Sequence, residues 1–265
     1  MKTVVTIVKI AAIVYLIVCV VLFFIQEKLV FFPQKLPGNY QFQFNQNFKE
    51  LHFTTTDNKR LNGVLFKADS SKGLIFYLHG NAGCLQSWGQ IAKTYTDLHY
   101  DLFMLDYRGY GKSEGSISSE QQFYEDVQLV YDSMKKIYTE NGIVVLGYSI
   151  GTGAATKIAA ANDPRLLILQ APYYSLTDLI QNKFKIIPGF LVKYKFETNK
   201  NIRSCKMPVA IFHGDKDEII YYGSSLKLQA QFKPADTLIT LINQGHNGMS
   251  DNFQYRTALQ KILSR

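Results

Sequence analysis

Three cysteines in 265 residues are too few, and too widely spaced, to staple a small fold or hold a structural metal. Cys19 lies inside an apolar segment, away from Cys84 and Cys205, so the three read as isolated thiols and set no redox compartment. Internal repeats and low-complexity tracts are lacking, as is a nucleic-acid module, and the basic residues are scattered with no dense Lys/Arg cluster. Nucleic acid is therefore not an expected partner. The excess of 29 Lys and Arg over 21 Asp and Glu, net +8, fits attraction to anionic headgroups, and equally a merely solvated basic surface. Composition is otherwise ordinary for a globular chain, with 47% hydrophobic and 19% charged residues, and disorder is not indicated.

What the chain does have, at its start, is a long apolar run. Ile10–Ile25 is uninterrupted and is preceded by Val4–Val8, with only Lys9 between. Together these are about 22 residues, roughly 33 Å as a helix, enough to cross a hydrocarbon core. A cleaved secretory signal has a shorter apolar core and a small-x-small cut site. Here the run ends in Leu22, Phe23, Phe24 and Ile25, followed by Gln26 and Glu27, so a retained single-pass helix over residues 1–30 is expected. Lys2, Lys9 and the amino terminus give a slight positive excess on one side, which predicts a cytoplasmic N-terminus and residues 31–265 as a domain on the non-cytoplasmic side.

Beyond the aromatic, Gln/Asn-rich connector of residues 31–48, expected along the membrane surface, strand-like and helix-like segments alternate. That is the pattern of a mostly parallel sheet covered on both faces, an α/β architecture. Eight strands are expected, at Leu51–Thr55, Leu61–Phe66, Leu74–Leu78, Leu102–Leu105, Ile143–Leu146, Leu166–Leu169, Val209–Phe212 and Thr237–Ile242. Among the helices, Phe123, Val127, Val130, Met134 and Ile137 make an apolar stripe, with Glu120, Glu125, Asp126 and Lys135 off it. Residues 173–203 break the alternation, with a capping signal at Ser175 and Asp178 and a break at Pro188-Gly189. This stretch is expected to form a small cap, its Phe184, Phe190 and Phe196 lining an apolar pocket.

The chemistry-bearing residues follow strand ends. Gly147-Tyr148-Ser149-Ile150-Gly151 follows an apolar strand and opens a helix rich in small residues, the context that a nucleophile elbow requires. Upstream, His79-Gly80-Asn81-Ala82-Gly83 follows Leu74–Leu78. The backbone N–H of Asn81, with that of Ile150, is the expected oxyanion pair. His79 sits too close to the strand end to be a base and is expected to brace the turn. Downstream, His213-Gly214-Asp215-Lys216-Asp217 offers two carboxylates, and Gly245-His246 an imidazole. The order Ser, Asp, His is the one this arrangement demands.

These motifs, with Leu29–Pro33, Asp106–Ser113 (Asp-Tyr-Arg-Gly-Tyr-Gly-Lys-Ser) and His213–Asp217, resemble the α/β-hydrolase superfamily, and most closely its membrane-anchored branch related to serine aminopeptidase-like hydrolases. The resemblance implies Ser149, Asp217 and His246 as catalytic residues, choosing Asp217 over Asp215. It supports Asn81 and Ile150 as oxyanion donors, gives Asp106 and Arg108 structural roles, and requires no metal or organic cofactor. The expected activity is hydrolysis of carboxylic esters or thioesters through an acyl-enzyme, on a small-molecule or lipid-derived acyl substrate. The alternatives are a peptidase for short peptides, disfavoured by a basic cap whose only acids are Asp178 and Glu197, and an idle membrane-tethered scaffold, disfavoured by an intact triad. The apolar helix itself is expected to be dispensable for chemistry. Oligomeric state is not set by the sequence.

Overall fold

A computed structural model describes residues 1–264. Helix α1 (Lys2–Val30) is followed by eight strands: β1 (Phe48–Thr54), β2 (Arg60–Phe66), β3 (Leu74–Leu78), β4 (Asp101–Asp106), β5 (Ile143–Tyr148), β6 (Leu166–Gln170), β7 (Val209–Gly214) and β8 (Thr237–Leu241). They form one sheet in the order β1-β2-β4-β3-β5-β6-β7-β8. β1 and β2 pair antiparallel, as do β2 and β4, and every other neighbour is parallel. All eight expected strands are present.

The central strands are apolar throughout because helices cover both faces. Successive side chains alternate: Leu74, Phe76 and Leu78 of β3 enter one core, Ile75 and Tyr77 the other. On the first face lie α2 (Glu120–Lys135) and α3 (Gly151–Ala161); on the second, α6 (Phe253–Leu263), after α4 (Leu176–Lys183) and α5 (Gly223–Gln229) in the chain. Ser119 caps α2, its Oγ accepting from Gln122 N–H at 3.1 Å. The expected stripe of Phe123, Val127, Val130 and Met134 is buried. Ile137 lies past the helix end and is exposed. Asp126, expected on the polar face, is instead buried because the Arg108 guanidinium reaches it, Nε to Oδ2 at 2.5 Å, while also gripping Asp57 at 2.7 Å through both terminal nitrogens. Arg108 thus ties the chain before β2 to α2, a structural role.

α1 is long and apolar enough to cross a membrane: its most apolar 18-residue window has a mean hydropathy of 3.0 and is only 6% buried. The connector after it packs on the domain. Phe32–Pro33 pair in parallel with Ala82–Gly83, and Phe42, Phe44, Phe48 and Phe66 stack in series, centroids 4.9–6.1 Å apart. All three cysteines are buried free thiols.

Candidate active site

The sharp turn between β5 and α3 presents Ser149. Its φ of 53° lies in the left-handed region, which costs a non-glycine residue energy and persists only where packing enforces it. The enforcement is visible at the flanking glycines. A Cβ on Gly147 would come within 2.6 Å of Gly151 O, and one on Gly151 within 2.2 Å of Leu78 O. The turn closes only because neither exists. Ser149 N–H donates to Gln170 O at 2.9 Å, fixing the turn to β6.

Two other strand ends converge on this hydroxyl. The turn after β8 delivers His246, with Nε2 3.1 Å from Ser149 Oγ. The turn after β7 delivers Asp217, with Oδ2 2.7 Å from His246 Nδ1. Asp215 makes no contact with His246 among the described residues; the carboxylate at the imidazole is Asp217. Its other oxygen accepts from the N–H groups of Ile219 and Ile220, each at 2.8 Å. Burial alone would raise the Asp217 carboxyl, but hydrogen bonds from His213 and His246 outweigh it and hold the group well below the usual carboxylate range. An ionised Asp217 can only accept, so His246 donates through Nδ1–H and leaves Nε2 free to receive the serine proton. The Tyr148 hydroxyl donates to His246 O, and Glu218 Oε2 accepts from His246 N–H at 3.3 Å, which fixes the histidine backbone from both sides.

Asn81 and Ile150 face the same cavity as Ser149. Among the described residues, neither backbone N–H donates to another group, so both are available to a ligand oxygen. The turn bearing Asn81 is braced from below. His79 is fully buried against Tyr107 and Trp88, its Nδ1 2.7 Å from Gly80 O. Burial lowers its imidazole to about 4 and pushes the neighbouring Asp106 carboxyl up to about 8. Their 3.8 Å approach is therefore a contact between neutral groups near pH 7. Bracing, not base chemistry, is what His79 does here.

The cavity above Ser149 has a volume of about 620 Å³. One wall is the inserted segment, through Leu176, Leu179, Ile180, Phe184, Ile187, Leu191 and Val192; α1 adds another through Leu22, Phe23, Gln26, Leu29 and Val30. Of the three expected pocket phenylalanines, only Phe184 lines it. Phe190 is 82% exposed and flanks a smaller recess against α1. Phe196 is fully buried in the core, packed on Phe31, Phe123, Tyr124 and Tyr194. Apolar character could not separate these three, because rim, tip and core positions all favour phenylalanine.

The α1 contribution was missed as well: sequence reasoning treated the helix as a tether, and in the structure one face of it lines the cavity. The signal was Gln26, a polar residue closing the apolar run: it is buried, its Nε2 donates to Leu191 O at 2.7 Å, and its Oε1 accepts from Lys193 N–H at 2.9 Å. Beside it, Glu27 accepts from the Tyr194 hydroxyl at 3.1 Å and pairs with Lys193. Sequence reasoning also missed His213, which is fully buried and steadies Asp217 from 3.3 Å while contacting Ser225 Oγ at 2.6 Å.

Comparison with known proteins agrees with the architecture. The family described as "Serine aminopeptidase, S33" matches residues 69–198, which include Asn81 and Ser149 but stop short of Asp217 and His246. The chain is 32% identical over 190 residues to the protein bem46 of Schizosaccharomyces pombe, covering 67% of this chain and 63% of that one. It is 29% identical over 180 residues to a lysophosphatidylserine lipase of Danio rerio, covering 60% and 47%. The chain thus spans less than two thirds of these relatives. Among solved structures, an esterase of Pyrococcus furiosus superposes with a TM-score of 0.68 at 18% identity, covering 89% of this chain and 98% of its own. Sheet order, elbow and relatives agree: the chain belongs to the α/β-hydrolase superfamily.

Proposed function

We propose that this protein is a membrane-tethered serine esterase acting on lipid-derived acyl esters, with residues 1–30 as the tether and residues 173–203 as a cap over the site. The observation that carries this reading is the chemistry of the cavity above Ser149. Its walls are almost entirely aliphatic and aromatic, and among the described residues none lining it is charged.

The distances support the following mechanism. His246 Nε2 takes the Ser149 proton as Oγ attacks the ester carbonyl carbon, and the N–H groups of Asn81 and Ile150 receive the developing oxyanion. Asp217 holds the tautomer and offsets the imidazolium charge. His246 then protonates the leaving alkoxide, and water, activated by the same imidazole, releases the acid from Ser149. The acyl chain lies among the aliphatic walls, where each buried CH2 contributes about 0.8 kcal/mol, close to a fourfold gain in kcat/KM per carbon at most.

The peptidase reading has the serine aminopeptidase match in its favour. Against it, an aminopeptidase needs a carboxylate for the free amine, and among the described residues none lines the cavity. Profiling the full chain with p-nitrophenyl esters from acetyl to dodecanoyl, matching thioesters and aminoacyl amides decides between them. Rising kcat/KM with chain length supports the esterase; preference for aminoacyl amides overturns it.

A further inference from the structure

The inserted segment does not end at the cavity. It continues along α1 towards the helix N-terminus. The Tyr15 hydroxyl donates to Ile186 O at 2.7 Å, while Gln26 Nε2 donates to Leu191 O at 2.7 Å. Tyr15 and Gln26 are eleven residues apart, so the segment follows the helix for about 16 Å. Tyr15 lies well inside the apolar run. The tip of the segment, 184–191, therefore sits beside a part of α1 that belongs in lipid.

Two features of the tip fit that place. Ile186 and Phe190 are 76% and 82% exposed, and Phe184, at the cavity rim, is 57% exposed. In water this is an unfavourable apolar patch, and in a bilayer it is buried. Its irregular backbone is provided for in part, the N–H groups of Lys185, Ile186, Gly189 and Phe190 making no hydrogen bond among the described residues. Each polar group satisfied within the protein lowers the cost of placing non-helical backbone at the level of the headgroups and upper acyl chains. The carbonyls of Ile186 and Leu191 take their donors from α1, and Phe184 O and Pro188 O accept from Ile187 N–H and Leu191 N–H inside the segment. Lys183 precedes the tip and the exposed Lys185 lies within it, both on stems long enough to reach headgroup phosphates.

We propose that the tip enters the same leaflet as α1, and that the Ser149 cavity is loaded sideways from the bilayer, between Phe23 of α1 and Phe184. Both residues line the cavity and are exposed, so they form its rim. The substrate is then a membrane-resident amphiphile whose acyl chain passes from lipid into protein without crossing water and whose ester lies at headgroup level. This inference rests on the esterase reading for its chemistry but not for its geometry. It gives α1 a second role, as a specificity-determining wall.

Two measurements on the full chain test it. In vesicles of phosphatidylcholine brominated along the acyl chain, Phe190→Trp should show fluorescence quenched well beyond that of the parent, which has only Trp88. Quenching no greater than the parent's overturns tip insertion. In nanodiscs, Leu22→Trp narrows the wall contributed by α1. The ratio of kcat/KM for a long-chain monoacyl lipid to that for p-nitrophenyl acetate should fall at least tenfold, and an unchanged ratio overturns sideways loading. Fluorophosphonate labelling of the parent reads out Ser149 chemistry separately. With labelling intact, a failed quenching or ratio result falls on this inference alone, and absent labelling falls on the esterase reading while quenching still reports tip insertion.

Discussion

The side-chain amide of Asn81 donates to Val30 O, the last residue of α1, at 3.1 Å, and Asn81 O in turn accepts from Phe32 N–H at 3.0 Å. The turn whose N–H we propose as an oxyanion donor is thus tied directly to the end of the apolar helix. Asn81→Ala keeps the backbone donor and cuts the side-chain tie. Expected is a fall of about tenfold in kcat with little change in KM, less than the roughly 10²–10³ lost when an oxyanion donor is removed outright. Steady-state kinetics on a soluble acetyl ester measures it.

Truncation extends the argument. A chain starting at Phe31 keeps the pairing of Phe32–Pro33 with Ala82–Gly83 but loses Leu22, Phe23, Gln26 and Leu29 from the cavity wall. Its preference for long over short acyl esters should collapse while measurable acetyl-ester turnover remains. Retention of the full chain-length preference would show that α1 is only a tether.

Asp217→Asn should cost about 10⁴ in kcat, because the amide favours the wrong imidazole tautomer. Asp215→Asn should cost far less, since Asp215 makes no contact with His246 among the described residues. Kinetics on both variants at equal folded yield gives the ranking, and the reverse order would move the acid to Asp215.

Phe184 and Phe196 should part company. Phe184→Ala opens the cavity wall and should cost about 1–3 kcal/mol of discrimination between octanoyl and acetyl esters, with stability little changed. Phe196→Ala empties a fully buried aromatic site and should destabilise the fold by about 3–5 kcal/mol. Denaturant unfolding and the chain-length ratio, taken together, separate the two roles.

Asp106 makes stability pH-dependent. Burial raises its carboxyl to about 8, against about 4 in an unfolded chain. Below about 4 both states hold the proton and nothing is lost. Between about 4 and 8 only the unfolded state ionises, so stability falls as pH rises, by up to several kcal/mol at about 1.4 kcal/mol per unit. Asp106→Asn mimics the protonated group and should flatten that decline. Thermal melts at pH 5 and pH 8.5 test it, and an equal decline in both proteins would contradict the assignment.

The fold and the converging triad were legible because both are local. Central strands read as short apolar runs, and each site residue follows a strand end that the sheet order brings together. The cavity walls were not legible. Leu22 and Phe23 look like any residues of a membrane helix, and only the tertiary contacts of Gln26 and Tyr15 with the inserted segment turn one face of α1 into part of a site. The burial of Asp126 was not legible for a related reason: it depends on Arg108, eighteen residues away and on another element.

The central claim is that Ser149 is an activated nucleophile. Its most direct test is labelling of the full chain in membranes by a fluorophosphonate probe, followed by mass spectrometry of the adduct. The account predicts one adduct, on Ser149, absent in Ser149→Ala together with a fall in ester turnover of roughly three to six orders of magnitude. Labelling that persists in Ser149→Ala, or turnover that survives it, would contradict the account.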